Sequence, residues 1–248
     1  MQRKNLAVTA NVVVANNKGV LSLPKDPRKS DAKMGHVGVT VPSHPGVHTE
    51  LDVPFRHDIK FAANFSGSSG LSGNDGLNGM DGTSGSSGSL DPNNPSPGGD
   101  GSDGTNGSDG DSGKPGEDGP AVQVLLTLHP GGRALLEASV SAAGKRKLYL
   151  VDPQGGSLTV TADGGSGGMG GRGGRGGHGG SGGIGTPNGQ SGRDGMNGQD
   201  GLRGTDGKGG LITVVYDPAA KPFLSALHLL SQNGPAAVFR EASVAPLW

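Results

Sequence analysis

The stretch GGSGGMGGRGGRGGHGGSGGIG, residues 164–185, places glycine at about two of every three positions for six turns of a three-residue repeat and more. Glycine loses more conformational entropy on ordering than any other residue, and a flexible linker has no need of a kept count. Here the count is kept four times. Glycine recurs at every third position over residues 67–88, 98–119, 164–185 and 189–210, with eight in-phase glycines in each run. The phase slips at SLDPNNPSP (89–97) and again at TPN (186–188), and the Pro, Asn, Asp and Ser of these connections mark them as turns.

Of the 51 glycines in the 248 residues, 41 fall in the four runs, so the rest of the chain is ordinary in composition and long enough for one hydrophobic core. With no cysteine there is neither a disulfide framework nor thiolate chemistry. A net charge of −1 gives no electrostatic footprint for nucleic acid. No apolar stretch reaches the length of a membrane span. The start, MQRKNLAVTANVVVANN, reads as a strand rather than a signal peptide, because Thr9 and Asn11 interrupt its apolar run. That leaves the location open between a surface-associated, virion or spore component and a cytoplasmic protein.

Outside the runs the hydrophobic period is two. Leu6–Val14, Val37–Val41, Ile59–Phe65, Val122–Leu128, Leu135–Ala142, Leu148–Val151, Leu158–Thr161, Leu211–Tyr216 and Val238–Ala242 all alternate as strands do, so the globular part is expected to be all-β. Leu224–Leu230 fits either a helix or a strand. The chain also repeats itself at an offset of about 90 residues, in the order strand, glycine run, turn, glycine run, strand. Val122, Val124, Leu126, Gly144, Leu148 and Tyr149 fall on Ile212, Val214, Tyr216, Gly234, Val238 and Phe239. The expected domains are an N-terminal β segment (1–57) and two modules (58–151 and 152–248), each sending one glycine run out and bringing one back.

A glycine period of three means polyproline II geometry, in which 22 residues span roughly 68 Å. A collagen triple helix requires imino acids at about 15–20%, and the four runs contain only Pro115. The alternative is a bundle of polyglycine II helices from one chain, whose backbone groups pair with neighbouring helices that the bare columns admit. A G-x-y run has one bare column and the G-G-x run has two, so residues 164–185 should be the most surrounded. Gly67, Gly98, Gly164, Gly167, Gly170 and Gly189 are the structural glycines that start these columns. Spacing such as GLSGNDGLNGMDG and GGMGGRGGRGGHGG resembles that of the polyglycine II bundle proteins, among them the snow-flea antifreeze proteins and the receptor-binding adhesins at the tips of some phage tail fibres. The resemblance covers the 88 run residues alone and implies a helix bundle for them; the strands outside the runs are expected to form a β-sandwich-like part from which that bundle projects.

The side-chain columns carry further expectations. Leu71, Leu77, Met80, Met196 and Leu202 suggest a thin apolar seam. The second run carries Asp100, Asp103, Asp109, Asp111, Glu117 and Asp118, and the third carries Arg172, Arg175 and His178 without an acid, so opposite fields would place these two runs side by side. GGDGSDGTN (98–106) half matches a calcium-binding nonapeptide but lacks its large apolar residue and a second copy in register. Ser166 and Ser181 sit in G-x-S-x-G only because any serine in a G-G-x run does. The two R-G-G triplets lack the aromatics of an RNA-binding box. His36, His44, His48 and His57, near Glu50 and Asp52, offer zinc-ligand types, although Pro45 and Gly46 break the helix that the His44–His48 spacing would need. No cofactor motif is present.

These observations point to a non-enzymatic structural or recognition protein, adhesin-like or receptor-binding, in which a stiff rod carries its two turns to a surface ligand, a glycan or a protein. Loops held on a rigid scaffold commonly carry binding. The candidate contact residues are Asp91, Asn93, Asn94, Ser96, Thr186 and Asn188, with Pro92 stiffening the longer turn. An assembly subunit that forms homo-oligomers without a ligand, and an ice-binding protein like the antifreeze relatives, are the alternatives. Neither a metal nor nucleic acid nor membrane insertion is expected.

Overall fold

The structure is a computed structural model and describes residues 6–16, 20–24 and 26–248. The first five residues of the N-terminal stretch lie outside these. The strands are β1 (Ala7–Asn11), β2 (Val14–Ala15), β3 (Leu21–Ser22), β4 (Gly35–Val41), β5 (His44–Val53), β6 (Lys60–Asn64), β7 (Val122–Leu128), β8 (Leu136–Ala142), β9 (Lys145–Val151), β10 (Ser157–Thr161), β11 (Ile212–Tyr216), β12 (Leu227–Leu230) and β13 (Val238–Glu241). Helix among the described residues amounts to two 3-10 segments, Pro27–Lys29 and Pro218–Ala226, so the protein is broadly all-β as the alternation indicates. The chain forms two compact units. One comprises the described residues up to Phe65 together with Pro120–Ala162 and Gly210–Trp248, and the other comprises Ser66–Gly119 and Asp163–Gly209. Both sequence modules therefore contribute to both units.

In the first unit, β12, β10 and β6 form a parallel sheet, and a second sheet has the order β13-β11-β7-β8-β9. The module repeat explains this pairing. The strands that lead into the first and third runs, β6 and β10, pair with each other, and so do β7 and β11, which follow the second and fourth. Val122, Val124 and Leu126 lie directly opposite Ile212, Val214 and Tyr216, the residues 90 positions on. Their side chains join Ala63, Leu158 and Val160 of the other sheet and Ala138 and Val140 of β8 in one core.

Beyond these strands the two copies diverge. After β7 the first copy makes the hairpin β8–β9. After β11 the second makes a 3-10 segment, then β12 alongside β10 and β13 alongside β11. Leu224–Leu230 thus divides into both of its expected forms. Asp217 starts the 3-10 segment by accepting the Ala219 N–H at 3.0 Å, and Pro222 within it prevents continuation as an α-helix. The strand expected over Leu6–Val14 is broken at Val12, whose φ of 55° lies in the left-handed region, into β1 and β2. β5 had no period-two signal because nearly all its side chains are exposed, so no face selects for apolar residues.

The second unit contains the four runs, whose backbone groups pair from run to run at every third residue. Donors on the first run, from Gly70 to Gly88, bond to carbonyls of the third at 2.7–2.8 Å, and Gly101 to Gly119 of the second bond in the same way to the fourth at 2.7–2.9 Å. These two pairings are parallel. Antiparallel ladders join the second run to the first (Ser108 N–H to Leu77 C=O, 2.9 Å), the third to the second (Gly174 to Ser108, 2.9 Å) and the fourth to the third (Gly198 to Gly174, 2.8 Å). The second and third runs each adjoin all the others, whereas no ladder joins the first and fourth. The runs therefore stand as a rhombus in section, with the second and third on its short diagonal.

This arrangement accounts for the doubled glycine. A rhombus of four chains has five adjoining pairs, and each close approach requires one bare column. A Cβ on the first run would overlap the second run's carbonyls, one on the second would overlap the third's, and one on the fourth would overlap the second's. The third run's two columns face the fourth (Gly164, Gly167, Gly170) and the first (Gly165, Gly168, Gly171). Five columns serve five pairs. The third run has no more neighbouring runs than the second, but with two bare columns it supplies the fifth and is the most buried of the four, as expected.

Candidate functional site

Many of the backbone N–H groups that do not meet a carbonyl meet a side chain. In the three G-x-y runs the y position is mostly Asp, Asn or Ser, short side chains whose oxygens reach a main-chain donor on the next run. Asp75, Asn78 and Asp81 accept from Arg172, Arg175 and His178 at 2.8–2.9 Å. Asp194, Asn197, Asp200 and Asp206 accept from Gly179, Gly176, Gly173 and Gly167 at 2.7–2.8 Å. Asp100, Asp103, Asn106, Asp109 and Asp118 accept from Gln190, Arg193, Met196, Gln199 and Lys208. The Gly179 N–H holds the Asp194 carboxyl below its ordinary value, and the Gly167 N–H does the same for Asp206.

Four of the six acids of the second run, Asp100, Asp103, Asp109 and Asp118, therefore bind the fourth run's backbone, and Asp111 accepts from the Asn74 side chain of the first. The second and third runs are neighbours, as their charges suggested, but a hydrogen-bonded ladder and the second run's glycine column join them. The apolar seam is absent: Leu71, Leu77, Met80, Met196 and Leu202 are 69–78% exposed, because every inward position is taken by glycine.

The two turns come together. Thr186 donates its N–H to the Ser96 carbonyl at 2.9 Å, and Gly98 donates to the Pro187 carbonyl at 2.9 Å. Within the longer turn Asp91 accepts the Asn93 N–H at 2.9 Å, and the Ser96 hydroxyl accepts the Ser89 N–H at 2.7 Å. In the shorter one Asn188 accepts the Gly185 N–H at 2.9 Å. Asp91, Ser96 and Asn188 thus shape the turns. Asn93, Asn94 and Thr186 are exposed and their side chains take part in none of these bonds. Leu90 and Pro92 are exposed beside them.

A second constellation, which no motif signalled, lies in the first unit. His129 is bonded through Nδ1 to Glu137 (2.7 Å) and lies with Nε2 3.3 Å from Asp31. Glu137 is fully buried. The outer oxygens are taken as well: Glu137 accepts the Leu247 N–H at 2.6 Å and Asp31 the Trp248 indole N–H at 2.8 Å. With those partners the cluster fastens residues 247–248 onto the sheet, and both ring nitrogens of His129 face a carboxylate. Nearby, Arg133 pairs with Asp152 at 2.5 Å, and burial, with Arg133 adding to it, lowers the His57 imidazole. His36 instead pairs with Asp52 at 2.9 Å, which raises its pKa. Among the described residues no three His, Asp or Glu side chains are grouped to hold a metal ion, and no helix is long and apolar enough to cross a membrane.

The chain matches no protein-family model, no curated protein and no solved structure.

Proposed function

We propose that the four runs are polyglycine II helices forming a rigid bundle, that the β12-β10-β6 and β13-β11-β7-β8-β9 sheets of the first unit make a β-sandwich, and that the paired turns are the contact surface of a non-enzymatic, adhesin-like recognition protein for a surface glycan or protein. The observation that carries this reading is the Thr186–Ser96 backbone bond, which merges turns almost a hundred residues apart in sequence into one surface. The bundle supports it by fixing the register of all four runs through main-chain ladders, so the turns have little freedom to lose when a ligand binds. Asn93, Asn94 and Thr186 supply donors and acceptors, and Leu90, Pro92 and Pro187 supply apolar area.

Lateral assembly through glycine columns is less well supported, because all five columns are used within one chain and every outer column carries side chains. An ice-binding face would need uniform small residues, whereas the exposed columns mix Leu, Met, Arg, Asp and Lys. The test is to replace Pro92, Asn93, Asn94 and Pro95 with Gly/Ser and Thr186 with Gly, keeping Asp91, Ser96 and Asn188 so that the turns stay shaped. The wild type is expected to bind one or more members of a glycan and cell-surface panel, and the variant to lose that binding with its melting temperature unchanged. Unchanged binding by a folded variant would end the proposal, as would thermal hysteresis above a control protein in the absence of any ligand.

A further inference from the structure

The outer face of the β13-β11-β7-β8-β9 sheet carries a hollow of about 640 Å³. Its lining includes Gln123, Ser141, Lys145, Arg146, Thr213 and Arg240. Register explains why these meet. Arg146, Ser141, Gln123 and Thr213 stand opposite one another on β9, β8, β7 and β11, a row on the order of 14 Å across. Arg240 sits one strand further, opposite Val215.

Among the described residues, the cations that line this hollow, Arg146 and Arg240 on the outer face and Lys145 at the β8–β9 turn that ends it, have no anion. None of the ion pairs among the described residues involves Lys145, Arg146 or Arg240. The carboxylates of the same sheet are engaged elsewhere: Glu137 with His129 and the Leu247 N–H, and Glu241 with Lys221 at 2.8 Å and the Tyr216 hydroxyl. Arg146 is also held in place, its Nε donating at 2.7 Å to the hydroxyl of Ser139, itself 2% exposed. The first unit as a whole carries 15 Lys and Arg against 9 Asp and Glu, so the near-neutral total conceals a basic half.

We infer that this hollow binds an anionic oligosaccharide, one bearing carboxylate or sulfate groups. Arg146, Lys145 and Arg240 would take the charges, with the guanidinium groups suited to two-toothed contacts with such oxyanions. The hydroxyls of Ser141 and Thr213 and the Gln123 amide offer the donors and acceptors that sugar hydroxyls need. No aromatic side chain lines the hollow, so it lacks the stacking platform on which single-stranded nucleic acid is held. The site lies in a different unit from the paired turns and does not depend on them.

The experiment is titration calorimetry of the full chain with a sulfated oligosaccharide, an oligogalacturonate, a neutral dextran oligomer and a single-stranded DNA 12-mer, with solution mass followed by light scattering. At least one anionic sugar should bind, with an affinity that falls as salt rises. Arg146→Gln/Arg240→Gln should weaken it at least tenfold, and the turn variant should leave it unchanged. The charge substitutions lie on exposed residues, and an unaltered circular dichroism melt confirms the fold. Absence of binding by both anionic sugars overturns the inference. Binding that survives Arg146→Gln/Arg240→Gln overturns it too, as does DNA binding equal to or tighter than that of the sugars. A rise in mass at low salt that only those substitutions abolish, without sugar binding, would assign the face to a second copy of the chain instead.

Discussion

The N–H of Gln190 donates to the carboxylate of Asp100 at 2.7 Å across a separation of 90 residues, and the same separation recurs in the bonds from Arg193 to Asp103, Met196 to Asn106, Gln199 to Asp109, Leu202 to Ser112 and Lys208 to Asp118. Asn and Ser occupy two of the six acceptor positions, so it is the oxygen and not the charge that the backbone requires. Asp103→Ala/Asp109→Ala should therefore lower the melting temperature by about 2–6 °C, the effect of removing two acceptors from exposed main-chain donors. Asp103→Asn/Asp109→Asn should stay within about 1–2 °C of the wild type by the same reckoning. Equal losses in both variants, read by circular dichroism, would mean that charge matters and the oxygen does not.

Glycine at the shared face of two runs should be irreplaceable, while its neighbour is free to vary. A Cβ on Gly174 would overlap the carbonyl of Leu77, and both atoms belong to backbones held by ladders that cannot shift singly. Gly174→Ala should cost at least about 3 kcal/mol in chemical denaturation, well beyond ordinary overpacking of flexible side chains. Arg175→Ala, one residue away in the exposed column, should fall within about 0.5 kcal/mol of the wild type. A Gly174→Ala protein as stable as the wild type would refute the column assignment.

Much of this architecture was legible in the chain because glycine phase and strand alternation are both local periods. The run boundaries, the turns at 89–97 and 186–188 and the register between Val122 and Ile212 follow from counting. What was not legible depended on which run adjoins which. The Asp column of the second run reads as a solvated acidic face until Gln190 is placed beside Asp100, and Leu71 and Met80 read as a seam until every inward position is seen to be glycine. The turn residues divide for a similar reason: Asp91 and Asn188 look like ligand contacts in sequence, yet their oxygens bond to the N–H groups of Asn93 and Gly185. The His129–Glu137–Asp31 cluster joins the β7–β8 hairpin to Asp31 and to residues 247–248, three segments far apart in the chain and each unremarkable alone.

Acid should loosen the bundle through two carboxylates in particular. Asp194 and Asp206 have pKa values lowered first of all by the N–H groups of Gly179 and Gly167. A carboxylate whose folded pKa is depressed stabilises the fold above its unfolded pKa, near 4, and the contribution is lost as pH falls through the folded value. Melting temperature should hence decline below about pH 4 for these groups, and Asp194→Asn/Asp206→Asn, which keeps both acceptors without a titrating group, should decline less steeply. Acid melts that superimpose for the two proteins would show that these carboxylates contribute no pH dependence.

The acceptor column of the fourth run is interrupted between Asp200 and Asp206, before it ends at Gly209, and filling that gap should stabilise the protein. The bonds from Gly167 to Asp206 and from Gly173 to Asp200 set a register in which the residue opposite Gly170 is Arg203, a side chain with no acceptor. Arg203 does pair with Asp206 at 2.6 Å, but an exposed pair of this kind contributes little. Asn at position 203 would offer its Oδ1 to the Gly170 N–H as Asn197 does to Gly176 at 2.8 Å, and it adds no carboxylate between Asp200 and Asp206. Arg203→Asn is expected to raise the melting temperature by about 1–3 °C, a single net hydrogen bond less the small ion-pair term. Arg203→Ala supplies the contrast, since it loses the ion pair without gaining an acceptor and should melt at or slightly below the wild-type temperature. If Arg203→Asn melts no higher than Arg203→Ala, short acceptors at the y position do not stabilise the bundle by capping main-chain donors, and the stability of the runs must rest on the glycine ladders alone.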